Sequence, residues 1–196
     1  MSGQKMRVAV LASGRGSNAE AIFKVSASGK LPRAEIAALI SDKPDAPALA
    51  KAREHGIKAL YIAPECGGAK FSESGAKAYI DTLRGLGVNL IVLAGFMRIL
   101  PREFIAAFPN AIINLHPSLL PAFKGKDAIK QAFEYGVKIC GCTVHYVSED
   151  VDGGKIIAQK TVEILPEDTL ETLTQKVHAA EHKLLPEVIR TISEGR

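Results

Sequence analysis

Four short apolar runs, separated by segments with helical spacing, constrain the fold of this chain more than any other feature. The runs occupy residues 7–12, 35–41, 58–62 and 89–94, and the helical segments lie at 19–27, up to His55, and at 72–86. Strands that alternate with helices form a parallel sheet covered by helices on both faces. The sequence therefore predicts a Rossmann-like, doubly wound α/β fold. The most apolar run, 89–94, is expected in the middle of the sheet.

The second half of the chain predicts a departure from a purely parallel sheet. Residues 138–148 and 155–164 are strand-like, and the loop between them contains Asp152, Gly153 and Gly154. Two strands joined by a short loop of this type are typical of a hairpin. A long helix follows at 169–192, with Pro186 as a candidate kink. Because no linker or repeat interrupts these elements, we expect one domain over residues 1–196 with a mixed, mostly parallel sheet.

Composition excludes several classes of function. The net charge of +4 is spread without a basic stripe and interleaved aromatics, so nucleic acid is not an expected partner. No apolar run approaches the ~18 residues that suggest a membrane span, and the N-terminus lacks the apolar core of a signal peptide. Three cysteines without a C-x-x-C motif favour reduced thiols in the cytoplasm. His145 and His182 lack a spaced ligand set, so no metal site is expected.

Asn114 and His116 follow a short apolar run at residues 111–113. In an extended segment, residues i and i+2 point to the same face, and Pro117 should end the strand directly afterwards. Ligands of open α/β sheets bind outside the carboxyl ends of the strands. A carboxamide and an imidazole at such an end suit chemistry on a carbonyl group, where charge develops on oxygen. The alternative is a structural histidine near a turn.

A glycine-rich turn links the first strand to the first helix. Gly14 and Gly16 let a ligand approach the backbone, and Ser17 and Asn18 add side-chain donors at a helix N-terminus, where anions bind. The spacing also matches the dinucleotide fingerprint G-x-G-x-x-A, in which Asp42 would hold a ribose hydroxyl. The two side-chain donors suit a terminal phosphate better than a bridging pyrophosphate. A purely structural turn with a Ser/Asn cap is the remaining alternative.

Two further stretches could complete a site. The segment 93–100 at the end of the central run offers apolar side chains for a pocket that holds a flat ring system, although simple burial also explains them. Asp152 has the sequence context of a turn former. It gains a functional meaning only if the hairpin brings it to His116, because a nearby carboxylate favours the charged imidazole.

Together, the stretches 13–18, 93–100, 114–121 and 151–154 resemble the folate-dependent formyltransferases of purine biosynthesis, in the right order and over nearly the whole chain. The resemblance implies transfer of the formyl group of 10-formyltetrahydrofolate, as co-substrate, to the glycinamide amine of 5'-phosphoribosylglycinamide. It implies small-molecule partners and no metal. The expected assembly is a monomer or a weak homodimer.

The same resemblance implies a role for individual residues. The catalytic trio would be Asn114, His116 and Asp152. The residues that would contact the acceptor are Gly16, Ser17 and Asn18 at its phosphate, Glu181 at its ribose, and Pro117. The residues that would line the folate pocket are Met97, Arg98, Ile99, Leu100, Asn114, Val147 and Asp152. Family members usually carry an Arg or Lys near the folate tail, and here the region 67–78 offers only Lys70 and Lys77.

Other functions remain open at the level of sequence. A nicotinamide-dependent oxidoreductase would use the glycine turn differently, and a phosphate-binding module would use it without catalysis. A formyltetrahydrofolate hydrolase shares most of the trio but usually has an N-terminal regulatory domain, whereas this sequence begins directly with the first strand. A transferase acting on methionyl-tRNA usually has a C-terminal domain that contacts RNA, which we do not expect here.

Overall fold

The computed structural model describes residues 5–195, which contain seven strands and six helices. The strands are β1 (Met6–Leu11), β2 (Ala34–Ser41), β3 (Ala59–Tyr61), β4 (Leu90–Leu93), β5 (Ile112–His116), β6 (Ile139–Tyr146) and β7 (Ile156–Glu163). The helices are α1 (Ser17–Ala27), α2 (Pro47–Glu54), α3 (Glu73–Gly85), α4 (Arg102–Ala107), α5 (Ala128–Tyr135) and α6 (Leu170–Ser193).

Within residues 5–195 the strands form a single sheet in the order β3-β2-β1-β4-β5-β6-β7. The strands from β1 to β5 pair in parallel, whereas β6 and β7 are antiparallel to their neighbours. The prediction of a mixed, mostly parallel α/β sheet is therefore confirmed, as is the hairpin of β6 and β7. The strand β4 lies in the middle of the sheet, as its apolar sequence predicts.

Helices cover both faces of the sheet and bury most of its central strands. Val8 and Val10 of β1 join an apolar cluster with α1, α2 and α6, while Ala9 and Leu11 join a second cluster with α3 and α4. Successive side chains of a strand point to opposite faces, so a strand covered on both sides needs an apolar residue at every position. Each fully buried Val or Leu contributes roughly 1.5–3 kcal/mol.

Two local features differ from the sequence-based expectation. Helix α4 begins directly after Pro101 and was not predicted, because its six residues are too few to show a helical period. Helix α1 begins at Ser17, two residues before the predicted start, and Gly16 is its N-cap residue. Pro186 lies inside α6, and the helix continues through it to Ser193.

Candidate active site

Three of the four stretches singled out from the sequence lie at one edge of the sheet. Leu11 of β1 pairs with Leu93 of β4, and Leu93 pairs with Asn114 of β5, so these parallel strands end side by side. The loops that follow β1 and β4 are joined by two hydrogen bonds. Ser13 donates its N–H to the Gly95 carbonyl at 3.1 Å, and its hydroxyl oxygen accepts a hydrogen bond from the Met97 N–H at 2.8 Å. The glycine turn and the strand end of β5 therefore share one edge, as predicted.

The structure brings Asn114, His116 and Asp152 together. Asp152 lies in the loop between β6 and β7 with a left-handed backbone (φ 51°), and its side chain is only 8% exposed. Its Oδ2 atom lies 3.4 Å from Nδ1 of His116, and its Oδ1 atom lies 3.5 Å from Nδ2 of Asn114. The hairpin thus carries the carboxylate to the strand end, which is the condition for a functional Asp152. The catalytic roles themselves stay a prediction.

Both ring nitrogens of His116 face acceptors. Besides the Asp152 carboxylate at Nδ1, the carbonyl oxygen of Phe123 lies 2.9 Å from Nε2. A doubly protonated imidazole can donate to both at once, whereas a neutral ring can donate to only one. The ring is 95% buried, so these two contacts fix its orientation.

A fourth polar side chain, His145, belongs to the cluster and was not assigned to it from the sequence. It lies directly opposite Asn114 across the antiparallel pair of β5 and β6. Its Nε2 atom is 3.2 Å from Nδ2 of Asn114 and 3.6 Å from Oδ1 of Asp152, and its Nδ1 atom is 2.9 Å from the Tyr146 carbonyl. Only the strand register could have revealed this neighbour, because the two residues are 31 positions apart.

Asp152 is held as a carboxylate by its neighbours. Burial raises the pKa of Asp152, but the hydrogen bond that protonated His145 donates, the hydrogen bond from the Gly125 N–H and the charges that both histidines carry when protonated outweigh it. The pKa of this carboxyl therefore lies below its ordinary value. At neutral pH the cluster contains one anion placed between two imidazoles.

The turn before α1 requires glycine at position 16. Gly16 has φ 70°, and a Cβ atom built on it would lie 2.6 Å from the Cβ of Ala48 at the start of α2. This close approach leaves no room for a side chain at position 16. The first N–H groups of α1, which begins at Ser17, have no partners within the helix and can bind an anion.

Asn18 and Glu181 connect this turn to α6. Nδ2 of Asn18 donates to Oε2 of Glu181 at 2.9 Å, and the same oxygen lies 2.8 Å from Nδ1 of His178. Glu181 is 97% buried, and Oδ1 of Asn18 is buried without a partner among the described residues. One N–H of the Asn18 side chain is therefore bound to Glu181, and no local sequence pattern indicates this contact.

Comparison with known proteins identifies the family of this chain. The formyl transferase family profile matches residues 6–189. Phosphoribosylglycinamide formyltransferase of Bacillus subtilis is 45% identical over 95% of this chain and 94% of the relative.
This chain belongs to the formyl transferase family.

Further relatives include a longer protein and solved structures. The trifunctional purine biosynthetic protein adenosine-3 of Homo sapiens is 41% identical over 98% of this chain, which spans only 19% of that protein. The crystal structure of glycinamide ribonucleotide transformylase 1 from Symbiobacterium toebii has a TM-score of 0.92 with 44% identity, covering 99% of this chain and 90% of its own. Phosphoribosylglycinamide formyltransferase from Bacillus halodurans has a TM-score of 0.88 with 43% identity, covering 95% and 94%.

In this formyl transferase the side chain of Arg98 links Asp42 to the loop at 66–70. Its Nε donates to Oδ2 of Asp42 at 2.7 Å, and the two side chains are 12% and 1% exposed. Its Nη1 donates to the carbonyl oxygens of Cys66, Gly68 and Lys70. Arg98 therefore holds the loop at 66–70, and Asp42 is not open to a ribose hydroxyl, which argues against the dinucleotide interpretation.

The other residues assigned to a ring pocket flank the end of β5. Met97 and Ile99 are 62% and 52% exposed, whereas Leu100 is buried in the second apolar cluster, against which Val147 packs. These residues follow β4 and β6, the two strands on either side of β5. Pro117 is half-buried directly after His116. The formyl transferase thus has an apolar surface on both sides of the Asn114 and His116 cluster.

Among residues 5–195, no group of three or more His, Cys, Asp and Glu side chains is arranged to hold a metal ion. None of the helices described here is both long and apolar enough to cross a membrane.

Replacing Arg98 by Met should destabilise the fold by about 3–5 kcal/mol, because it leaves the buried Asp42 carboxylate without its cation. Urea unfolding measures this loss. The matched control is Arg102→Met, whose partner Glu149 is 3.0 Å away in an exposed pair. That control should change stability by less than about 1 kcal/mol. Adding Asp42→Asn to Arg98→Met should recover much of the lost free energy of unfolding. Equal losses of stability in Arg98→Met and Arg102→Met would contradict the assignment of a buried ion pair.

Proposed function

We propose that this formyl transferase moves the formyl group of 10-formyltetrahydrofolate to the amine of 5'-phosphoribosylglycinamide, a step of purine biosynthesis. The observation that carries the proposal is the cluster of Asn114, His116 and Asp152 at the same sheet edge as an anion-binding turn. The similarity to proteins named phosphoribosylglycinamide formyltransferase supports the choice of substrates.

The proposed site for the acceptor's phosphate is the turn formed by Gly16, Ser17 and Asn18. Backbone N–H groups at the start of α1 supply the main donors, and the second N–H of the Asn18 carboxamide is available as well. Glu20 in the first turn of α1 does not oppose an anion. Hydrogen bonds from Lys24 and Lys51 lower the pKa of Glu20 to about 2, and these lysines offset its charge.

The ribose of the acceptor is proposed to contact Glu181, and the glycinamide arm is proposed to pass Pro117 toward His116. Glu181 is fixed by Asn18 and His178, so its carboxylate has one oriented oxygen and a second one for a hydroxyl donor. A phosphate at α1 and an amine at the end of β5 then belong to one extended ligand along the sheet edge.

The folate ring is proposed to bind between the segment that follows β4 and the loop that follows β6. Met97, Ile99 and Val147 supply apolar surface, the backbone from Arg98 to Leu100 supplies groups for the ring edge, and Asn114 and Asp152 lie at the reacting end. Of the two candidates near the folate tail, Lys77 pairs with Asp81 at 2.5 Å on the outside of α3. Lys70 belongs to the loop held by Arg98 and is the better candidate.

The chemistry follows from the charges of the cluster. The neutral amine attacks the formyl carbon, a C–N bond forms, and negative charge develops on the formyl oxygen. In the proposed transition state the Nε2–H of protonated His116 leaves the Phe123 carbonyl and donates to that oxygen, and the carboxamide of Asn114 turns an N–H toward it. The attacking nitrogen then loses a proton, which passes to the folate nitrogen as the old C–N bond breaks. A water molecule held by the Asp152 carboxylate can carry that proton.

Assembly and location form part of the same proposal. We propose that the protein acts as a monomer or a weak homodimer in the cytoplasm, with small molecules as its substrates. The three cysteines are free thiols, which is consistent with a reducing compartment.

The direct test is an assay of formyl transfer with both substrates. We expect formylated product only when phosphoribosylglycinamide and 10-formyltetrahydrofolate are both present, and slow folate turnover when the acceptor is omitted. Tetrahydrofolate production at the same rate without acceptor would instead indicate a hydrolase.

The phosphate assignment predicts that Asn18→Asp raises the KM for phosphoribosylglycinamide by about tenfold or more, equivalent to ~1.4 kcal/mol, because a carboxylate would face the phosphate. The KM for the folate should change little. The new carboxylate would also face Glu181. The control therefore measures the change in the KM for phosphoribosylglycinamide on Asn18→Asp twice, once in the unaltered protein and once in the Glu181→Gln variant. Recovery of the KM in the double variant would assign the effect to the Asp–Glu contact and not to phosphate.

The trio predicts coupling between His116 and Asp152. Loss of one oxyanion donor costs on the order of a hundred- to a thousand-fold in turnover, so His116→Ala and Asp152→Asn should each lower kcat by about this much. Because groups that act as a unit have non-additive effects, the double variant should be little worse than the more damaged single variant. Single-turnover rates at saturating substrates measure the cycle. Strictly multiplicative losses would mean that the two residues act independently.

A further inference from the structure

The carboxamide of Asn114 points the wrong way for the role that the proposed reaction gives it. Its nitrogen lies 3.2 Å from Nε2 of His145 and 3.5 Å from Oδ1 of Asp152, so both of its hydrogens are directed into the protein. No donor from residues 5–195 reaches its carboxamide oxygen. A developing oxyanion needs a donor, and in this orientation Asn114 offers it none.

The proton on His145 determines this orientation. Nδ1 of His145 faces the Tyr146 carbonyl at 2.9 Å and therefore carries a hydrogen. In the neutral ring Nε2 is then an acceptor, and it fits the nitrogen end of Asn114. If Nε2 also carries a hydrogen, the nitrogen end is repelled and the oxygen end fits. The two ends of a carboxamide are nearly the same size, so the change requires only a rotation of the amide.

The surroundings of His145 can support its cationic form. Oδ1 of Asp152 lies 3.6 Å from Nε2, and the ring is 98% buried, so the carboxylate is its near counter-ion. Nδ1 of His116 faces the other oxygen of Asp152, at 3.4 Å. On β7 the neighbour of His145 is Ile156, which is apolar, and on β5 it is Asn114. Asp152 is thus shared between the two histidines.

We propose that His145 is a positioning residue that selects which end of Asn114 faces the substrate. Neutral His145 holds the nitrogen inward, which is the arrangement seen in the structure. Protonated His145 binds the oxygen of Asn114 and turns its N–H groups toward the formyl oxygen. This inference rests on the proposed formyl transfer for its consequence, but the rotation of the amide is a property of the protein alone.

Two substitutions of His145 test whether this residue acts through the orientation of the Asn114 carboxamide. His145→Leu removes the partner and leaves Asp152 to hold the nitrogen of Asn114 inward. We expect kcat to fall at least tenfold, up to the hundred- to thousand-fold typical of a lost oxyanion donor, with both KM values within about threefold of the parent. His145→Gln has no titrating ring, and its carboxamide can offer either an N–H or an oxygen to Asn114 at every pH. It should retain more activity than His145→Leu and lose the part of the pH–kcat profile that His145 contributes.

The control for a histidine outside the site is His55→Leu, since His55 contacts the Phe23 ring beside α2. It should leave kcat and its pH profile unchanged. In an Asn114→Ala background, His145→Leu should lower kcat by less than about twofold further, because its effect passes through Asn114. Multiplicative losses in that background would overturn the proposal.

Nitrogen-15 NMR of the Asn114 side chain tests the rotation without any substrate. The carboxamide signals should shift with pH in the parent, stay constant in His145→Gln, and report the inward orientation in His145→Leu. An Asn114 signal that is insensitive to pH in the parent would overturn the inference. Because this measurement needs no turnover, its result is independent of the formyl-transfer assay, which tests the proposed function by itself.

Discussion

The buried carboxylate of Asp152 joins the separate segments that make up the candidate site. Its two oxygens meet His116 and Asn114 from β5, His145 from β6 and the N–H of Gly125 from the loop between them. An isolated buried carboxylate would be strongly disfavoured, so the donors among these groups keep Asp152 ionised. The same contacts hold the β6–β7 loop against the end of β5, and function and local folding therefore depend on one group.

Most of the fold could be predicted from the sequence because the central strands are covered on both faces. Such strands are continuous apolar runs, and β4 is recognisable as the middle strand from that property alone. The position of Asn114 and His116 at a strand end follows from the proline after them. Helix α4 could not be predicted in this way, because six residues after Pro101 contain less than two helical turns.

The parts of the site that escaped prediction all depend on contacts between distant segments. His145 is recognisable only once β6 is paired with β5 in the observed register. The side chain of Arg98 was assigned to the pocket, but a buried ion pair with Asp42 directs it to the loop at 66–70. Asn18 was expected to donate to a ligand, and one of its N–H groups donates to Glu181 instead. Local sequence patterns carry no information on these partners.

The pairing of Glu181 has a consequence for an anionic substrate. Two unit charges of the same sign repel by about 4 kcal/mol at 4 Å when the effective dielectric constant is ~20. A free carboxylate beside the turn would therefore cancel much of what the N–H groups of α1 contribute. Asn18 and His178 bind one oxygen of Glu181, and two lysines bind Glu20 in the first turn of the helix. The two lysines offset the charge of Glu20, so the turn can accept a phosphate, whereas Asn18 and His178 orient Glu181 and leave its second oxygen as an acceptor for a neighbouring hydroxyl.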